Sequence, residues 1–183
     1  VPRLIHLNGP SRVGKSTLAR RYADEHPETL VLDLDDLAGL VDGWRDDFSA
    51  ALDVARGQAR DLALRHLRSG HDVVLPQLVT VHDRDPDAAL AGVAAAADAT
   101  YVEVALLVDV AEHLRRLHDK RPATEVEARV QQALVDPGSD LVERIRRHLD
   151  EHLSQRPHTI RIDTTGLDED ATYALLLEAL EDS

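Results

Sequence analysis

The chain has 183 residues, 43% of them hydrophobic, which is enough to bury a real core in one domain. Its 34 acidic and 21 basic side chains give a formal charge of −13, so a long nucleic-acid backbone would be repelled over most of the surface, whereas a small anion needs only a compact local site. The absence of cysteine excludes disulfides, thiolate metal sites and cysteine nucleophiles, and no apolar run approaches the ~20 residues of a membrane span.

The opening VPRLIHLNG runs into a motif and has no signal-sequence character, so a soluble protein of the reducing cytoplasm is expected, with no membrane or nucleic-acid partner. RLIHLN (3–8) reads as a strand, and residues 15–26 as a helix with Leu18, Ala19, Tyr22 and Ala23 on one face until Pro27. TLVLDLDDL supplies a second short strand ending near Asp33. A long helix over about 48–69 follows, with Phe48, Leu52, Ala55, Ala59, Leu62, Ala63 and Leu67 at helical spacing and Gly70 past its end.

HDVVLPQLV is a third strand whose Val73-Val74-Leu75 run suits burial on both faces; YVEVALLVD is a fourth and HTIRID a fifth. Amphipathic segments fall at about 85–97, 110–120, 124–135 and 139–153, and a last helix at 168–181. In the second of these, Val110, Leu114 and Leu117 are expected to face inward. No linker or internal repeat interrupts the pattern, so residues 1–183 read as a single domain. Strands alternating with helices predict an α/β three-layer sandwich, a five-stranded parallel sheet with helices on both faces and ligands at the carboxyl ends of its strands.

Gly9-Pro10-Ser11-Arg12-Val13-Gly14-Lys15-Ser16 matches G-x-x-x-x-G-K-[ST] between a strand and a helix, the context its mechanism needs. Glycines allow backbone angles that turn several N–H groups toward one anion, and the helix start adds its positive dipole end. Lys15 is one of only two lysines in an arginine-rich chain; a compact ammonium reaches β- and γ-phosphates where a planar guanidinium fits poorly. Ser16 would offer its hydroxyl to Mg²⁺, and Ser11, Arg12, Val13 and Thr17 complete the nucleotide contacts. The spacing lacks the G-x-G-x-x-G of dinucleotide folds.

Asp33, Asp35 and Asp36 fall where the second strand ends, beside this loop. Carboxylates there hold magnesium or accept the proton of an attacking hydroxyl, and strand alternation would put Asp33 and Asp35 on one side. Asp35 is the expected base and Asp33 the expected metal-side group; the alternative is that Asp35 or Asp36 caps the next helix.

These stretches resemble the P-loop small-molecule kinases that include shikimate kinase, gluconate kinase and chloramphenicol phosphotransferase. LNGPSRVGKS looks like the opening of the chloramphenicol enzyme, and DLDDL puts Asp35 where that enzyme has its proposed catalytic aspartate. DLD also resembles the D-x-D of shikimate kinase, which again selects Asp35. The resemblance implies the P-loop NTPase fold of the nucleoside-monophosphate-kinase type, strand order 2-3-1-4-5, and ATP (or GTP) with Mg²⁺. One departure stands out: related kinases often carry an acid at the end of the third strand, and this chain reads Leu75-Pro76-Gln77.

EHLRRLHDKRPATE (112–125) matches the stretch that leads into the lid of such kinases, which implies that Arg116 and Arg121 close on the phosphates and that a mobile lid lies at about 118–137. The alternative is a solvated basic face near a helix end. IDTTGLDED (162–170) matches the loop laid against adenine, which implies Thr165 and Gly166 near the base; its plainer reading is a turn before a helix capped by Asp168.

On the acceptor side, Trp44 would stack on an apolar or ring-shaped substrate with Arg45 on an anion or hydroxyl, or Trp44 packs over the helix start. Gln77 would bind the acceptor or simply follow Pro76 in a loop, and Arg84 is a further candidate. His148 and His152, one turn apart, lack a third metal ligand and read as solvated histidines. The expected activity is transfer of a γ-phosphate from ATP or GTP to the hydroxyl of a small molecule, a metabolite or antibiotic. The rivals are a nucleotide or nucleoside kinase, which would want more arginines around its acceptor, and a nucleotide-dependent switch or binding module, for which the N-K-x-D signature is missing.

Overall fold

Five short strands carry the apolar runs: β1 (Arg3–Asn8), β2 (Leu30–Val31), β3 (Val73–Pro76), β4 (Thr100–Leu107) and β5 (Ile160–Asp163). In the computed structural model, which describes residues 1–79, 86–136 and 138–181, they form one all-parallel sheet ordered β2-β3-β1-β4-β5. β1 lies at the centre, with Leu7 opposite Pro76 of β3 and Val104 of β4. All four β3 residues are buried, which fits a strand covered by helices on both faces. The parallel sheet and its helical layers are those the sequence pattern predicts, and the strand order is the one the resemblance implies.

Among the described residues eight helices connect and cover the strands: α1 (Lys15–Glu25), α2 (Leu34–Gly39), α3 (Phe48–Arg68), α4 (Pro86–Ala95), α5 (Val110–Asp119), α6 (Glu125–Val135), α7 (Leu141–Ser154) and α8 (Glu169–Glu181). Two apolar clusters flank the sheet. On one side α1 and α8 contribute Leu18, Tyr22, Tyr173 and Leu176 against Ile5, Leu7 and Val104. On the other, α3 and α4 contribute Ala59, Ala63, Leu67 and Leu90 against Leu4, Val73 and Leu75. α3 turns a row of alanines inward, Ala51, Ala55, Ala59 and Ala63, at one-turn spacing, and their small side chains let a 21-residue helix lie close to its neighbours.

Two expectations are corrected. The strand expected to end near Asp33 ends at Val31, and the carboxylates do not alternate along it: Asp33, not Asp35 or Asp36, caps α2 by accepting the Asp35 N–H, and Asp35 and Asp36 occupy its first turn, where acids oppose the helix dipole favourably. Of the three α5 residues expected to face inward, only Leu117 is buried; Val110 and Leu114 are 51% and 42% exposed. No helix among the described residues is long and apolar enough to cross a membrane.

Candidate active site

The loop between β1 and α1 is held from below by its own neighbours. Asn8 Oδ1 accepts the N–H of Gly9 at 2.8 Å and of Val79 at 2.9 Å. Gly9 has φ +139°, and a Cβ there would stand 2.5 Å from the Leu106 carbonyl oxygen, so only glycine fits. Arg12 takes φ 65° and Gly14 φ 106°, the backbone turns that bring successive N–H groups to one side. Gly14 precedes α1 without any side-chain cap, and a Cβ on it would meet nothing within 4 Å. A helix start left without a side-chain cap has amides free to bind an anion, and it suits a phosphate group.

Lys15 Nζ donates to the Gly9 and Pro10 carbonyls, both at 2.8 Å, so the lysine bridges the loop that contains it. Burial pulls its ammonium down to about 8 against the opposing pull of Asp35 and Asp33. The Asp35 carboxyl is pushed up to about 6, first by burial, then by Asp33, while Lys15 resists the rise. Ser16 donates its hydroxyl to Asp33 Oδ2 at 2.7 Å. That oxygen pair fits a hard cation such as Mg²⁺, which uses one or two carboxylates plus substrate phosphates; among the described residues no cluster of three or more His, Cys, Asp or Glu side chains offers an all-protein cage.

These groups share one cleft of about 580 Å³. Ser11, Arg12, Gly14, Lys15, Ser16 and Thr17 line it from the loop, and Asp33, Asp35 and Asp36 from the start of α2. Gln77 lines it just past the end of β3, so that of the expected acceptor-side residues Asp35 and Gln77 reach the cleft, whereas Trp44 and Arg45 do not. Gly9 and Val13 stand behind the loop, both buried.

The other expected side chains lie elsewhere. Trp44 is 7% exposed and packs on Ala38, Ala51, Ala55 and Val126; the alanines leave room for the indole, so packing wins over stacking on a substrate. The Arg45 guanidinium lies 4.5 Å over the Trp44 ring and pairs with Glu125. Arg116 donates to Glu112 at 2.9 Å and, through both terminal nitrogens, to Thr164 at 3.1 and 2.8 Å. Its guanidinium thus lies on the loop after β5, where Thr165 accepts the Asp109 N–H and Gly166 turns with φ 70°, and Arg116 is outside the cleft lining. Arg121 is exposed and, like Thr165 and Gly166, outside the cleft lining. Arg84 lies outside the described residues.

Sequence reasoning missed several residues. Phe48 and Arg56 of α3, Arg129 of α6, and Arg144 and His148 of α7 all line the cleft. His113, 2% exposed on α5, supports the phosphate loop by donating Nε2–H to the Ser11 carbonyl at 2.9 Å; burial holds its imidazole below the usual range. His152, read as solvated, is 2% exposed and points Nε2 at Glu103 Oε1, 3.3 Å away. Only the first of these groups carried a signal, since Phe48, Leu52 and Arg56 recur at one-turn intervals along a single helix face.

Comparison with known proteins agrees with this geometry. Residues 4–145 match a family model described as AAA domain. No curated protein matches significantly. Among solved structures, the shikimate kinase of Bacteroides thetaiotaomicron aligns with a TM-score of 0.62 at 17% identity, over 98% of both chains. The Deinococcus radiodurans tunicamycin resistance protein aligns at 0.61 and 18%, over 99% of this chain and 94% of that one. The Mycobacterium tuberculosis APS kinase, determined with AMPPNP and APS, aligns at 0.60 and 19%, over 98% of both. With the phosphate loop on a sheet of this order and more than half the chain inside the matched region, the protein belongs to the AAA domain family.

Proposed function

We propose that the protein transfers the γ-phosphoryl group of ATP or GTP to a hydroxyl of a small-molecule acceptor, with Mg²⁺. One observation carries the reading: Lys15, the Ser16–Asp33 pair and the half-protonatable Asp35 line a single cleft. In the reaction the acceptor oxygen forms a bond to the γ-phosphorus, the bridging P–O bond to the β-phosphate breaks, and the nucleoside diphosphate leaves. The hydroxyl proton passes to the Asp35 carboxylate. Loop amides and Lys15 hold the phosphates in line, so the protein acts chiefly by positioning and charge neutralisation. Ser16 and Asp33 would hold the magnesium ion, which supplies neutralising charge on the phosphate oxygens. α6 is the lid in this reading.

The cleft-lining Arg56, Arg129 and Arg144 also favour a second reading, a nucleotide or nucleoside kinase, because they supply arginines that the sequence seemed to lack there. Mass spectrometry of a panel of metabolites, nucleotides and antibiotics incubated with Mg-ATP separates the two by the product formed. Lys15→Ala should lose nucleotide binding or turnover. Asp35→Asn should bind nucleotide as before and transfer about 10² to 10⁴ times more slowly; full transfer by Asp35→Asn removes the base assignment.

A further inference from the structure

Three consecutive carbonyls of the phosphate loop each accept from a side chain. Lys15 Nζ donates to those of Gly9 and Pro10, and His113 Nε2 donates to that of Ser11 at 2.9 Å. The two donors differ in what an arriving anion does to them. Lys15 belongs to the loop, and its ammonium is the charge that a phosphate attracts, so its two carbonyls can be released. His113 stands 102 positions away on α5, outside the cleft lining, and a neutral ring is not drawn to a phosphate. Of the three carbonyls, that of Ser11 is the one held from outside the loop.

The ring is kept neutral and in place. A carbonyl only accepts, so the single proton of the neutral imidazole sits on Nε2. Nδ1 is buried and has no hydrogen-bond partner among the described residues, which leaves nothing to favour a second proton. Burial above all, helped by the charges of Arg146, Lys15 and Arg116, holds the imidazole below its usual range, although the bond to Ser11 pulls the other way. α5 itself is pinned on both sides of His113. Before it, the Asp109 N–H donates to Thr165 Oγ1 at 2.9 Å; after it, Arg116 donates to the Thr164 hydroxyl and carbonyl oxygens at 3.1 and 2.8 Å, and Leu117 is buried.

A planar trans peptide points its C=O and its N–H in opposite directions. The described chain has no cis peptide bond, so a Ser11 carbonyl fixed toward α5 fixes the Arg12 N–H away from α5. The cleft is on that side: Ser11 and Arg12 line it and His113 does not. Arg12 needs such a constraint, because a φ of 65° is one that a residue other than glycine seldom adopts and keeps only where its surroundings hold it. With the same peptide turned over, a carbonyl oxygen would face the phosphates.

We infer that His113 is a positioning residue of the phosphate loop: it holds the Ser11 carbonyl back on the α5 side and thereby presents the Arg12 N–H to the phosphates of the nucleotide. The inference rests on the reading of the cleft as a nucleotide site. Mg-ADP and Mg-pyrophosphate, which share only their phosphates, are titrated by calorimetry into the full chain. His113→Leu fills the space without a donor and should bind both about tenfold more weakly. His113→Gln, whose amide can donate to the same carbonyl, should recover most of that loss. A histidine that merely fills space would show the reverse order, because leucine suits an apolar pocket better than glutamine. Two further readings need no variant to fold in the donor-free form. Nitrogen NMR of the histidine rings, with the His113 signal identified by its absence from His113→Gln, should find the proton on Nε2 near neutral pH, and the Arg12 amide should exchange more slowly once Mg-ADP is bound. A proton on Nδ1, an Arg12 amide indifferent to Mg-ADP, or wild-type affinity for both probes in His113→Leu overturns the inference alone. A wild-type chain that binds neither probe refutes the nucleotide reading, and the inference falls with it.

Discussion

The Ser16 hydroxyl donates to Asp33 Oδ2 at 2.7 Å, while Asp33 Oδ1 accepts the Asp35 N–H at 3.1 Å. One carboxylate thus touches both the phosphate-loop serine and the helix turn that carries the expected base. The two duties separate by substitution. Asparagine retains a carbonyl oxygen for the cap, so Asp33→Asn should cost at most about 1 kcal/mol of stability. It removes the charge that a magnesium ion would meet, so the magnesium concentration for half-maximal turnover should rise about tenfold or more. A magnesium titration that overlays the wild-type curve would take Asp33 out of metal binding.

Two glycines of the same loop should respond differently to a methyl group. Gly9→Ala drives a Cβ to within 2.5 Å of a β4 carbonyl at φ +139°, where both strain and overlap act. A loss of about 1–3 kcal/mol is expected, a melting shift of a few degrees to about 10 °C in a chain of this size. Gly14→Ala meets nothing within 4 Å, so only its φ of +106° opposes it. Its methyl points into the space kept for phosphate, and its effect should fall more on nucleotide affinity than on melting. Thermal denaturation with and without ADP reads both.

The part of the site that was legible in the sequence is the part made of neighbours in the chain. The phosphate loop is one continuous motif whose strand and helix flank it, and Ser16 and Lys15 follow from it directly. α2 was missed because DLDDL was given strand alternation. Its signal was present, since an aspartate before two acids in a first turn is a helix start. Trp44 carried no signal against an acceptor role; the alanines that enclose it, Ala51 and Ala55, lie on the next helix and look like ordinary helix residues. Arg116 shows the same limit from the other side. A basic segment after the fourth strand does not reveal that Thr164, 48 positions away, offers two oxygens to its guanidinium.

Glu103 illustrates what only tertiary packing decides, and it sets a pH dependence. The carboxylate is 8% exposed in mid-sheet. Its Oε1 accepts from Asn8 at 2.9 Å and from His152 at 3.3 Å, and its Oε2 from Thr159 at 2.6 Å. Burial alone would raise its pKa, but those donors, with His6 nearby, outweigh burial and hold it at about 2 against an ordinary 4.5. A folded pKa below the unfolded one means stability that is complete above about pH 4.5 and lost as pH falls toward 2. The size is on the order of 3 kcal/mol. Glu103→Gln should therefore be less stable than wild type at pH 7, and the gap should narrow steadily between pH 4.5 and 2.5. Chemical denaturation at several pH values checks this; a gap independent of pH would mean that the carboxyl titrates alike in both states.

Arg12 joins the phosphate loop to α6. Its side chain is 7% exposed, and its guanidinium donates to Glu127 Oε2 at 3.5 Å and Gln131 Oε1 at 3.3 Å. Gln131 cannot turn away, because its own amide donates to the Leu117 carbonyl at 2.6 Å and the Lys120 carbonyl at 3.2 Å. An arginine at φ 65° inside a phosphate-binding loop has a stronger partner available once a polyphosphate arrives, since a doubly charged oxyanion outcompetes a single carboxylate and an amide. Arg12→Ala should raise amide hydrogen exchange over residues 125–135 in the nucleotide-free protein and leave α1 unchanged. Glu127→Gln, which keeps a hydrogen-bond acceptor, should do so less. Exchange in α6 that is identical in Arg12→Ala and wild type would show that Gln131 and its two carbonyl partners hold the helix without help from the loop.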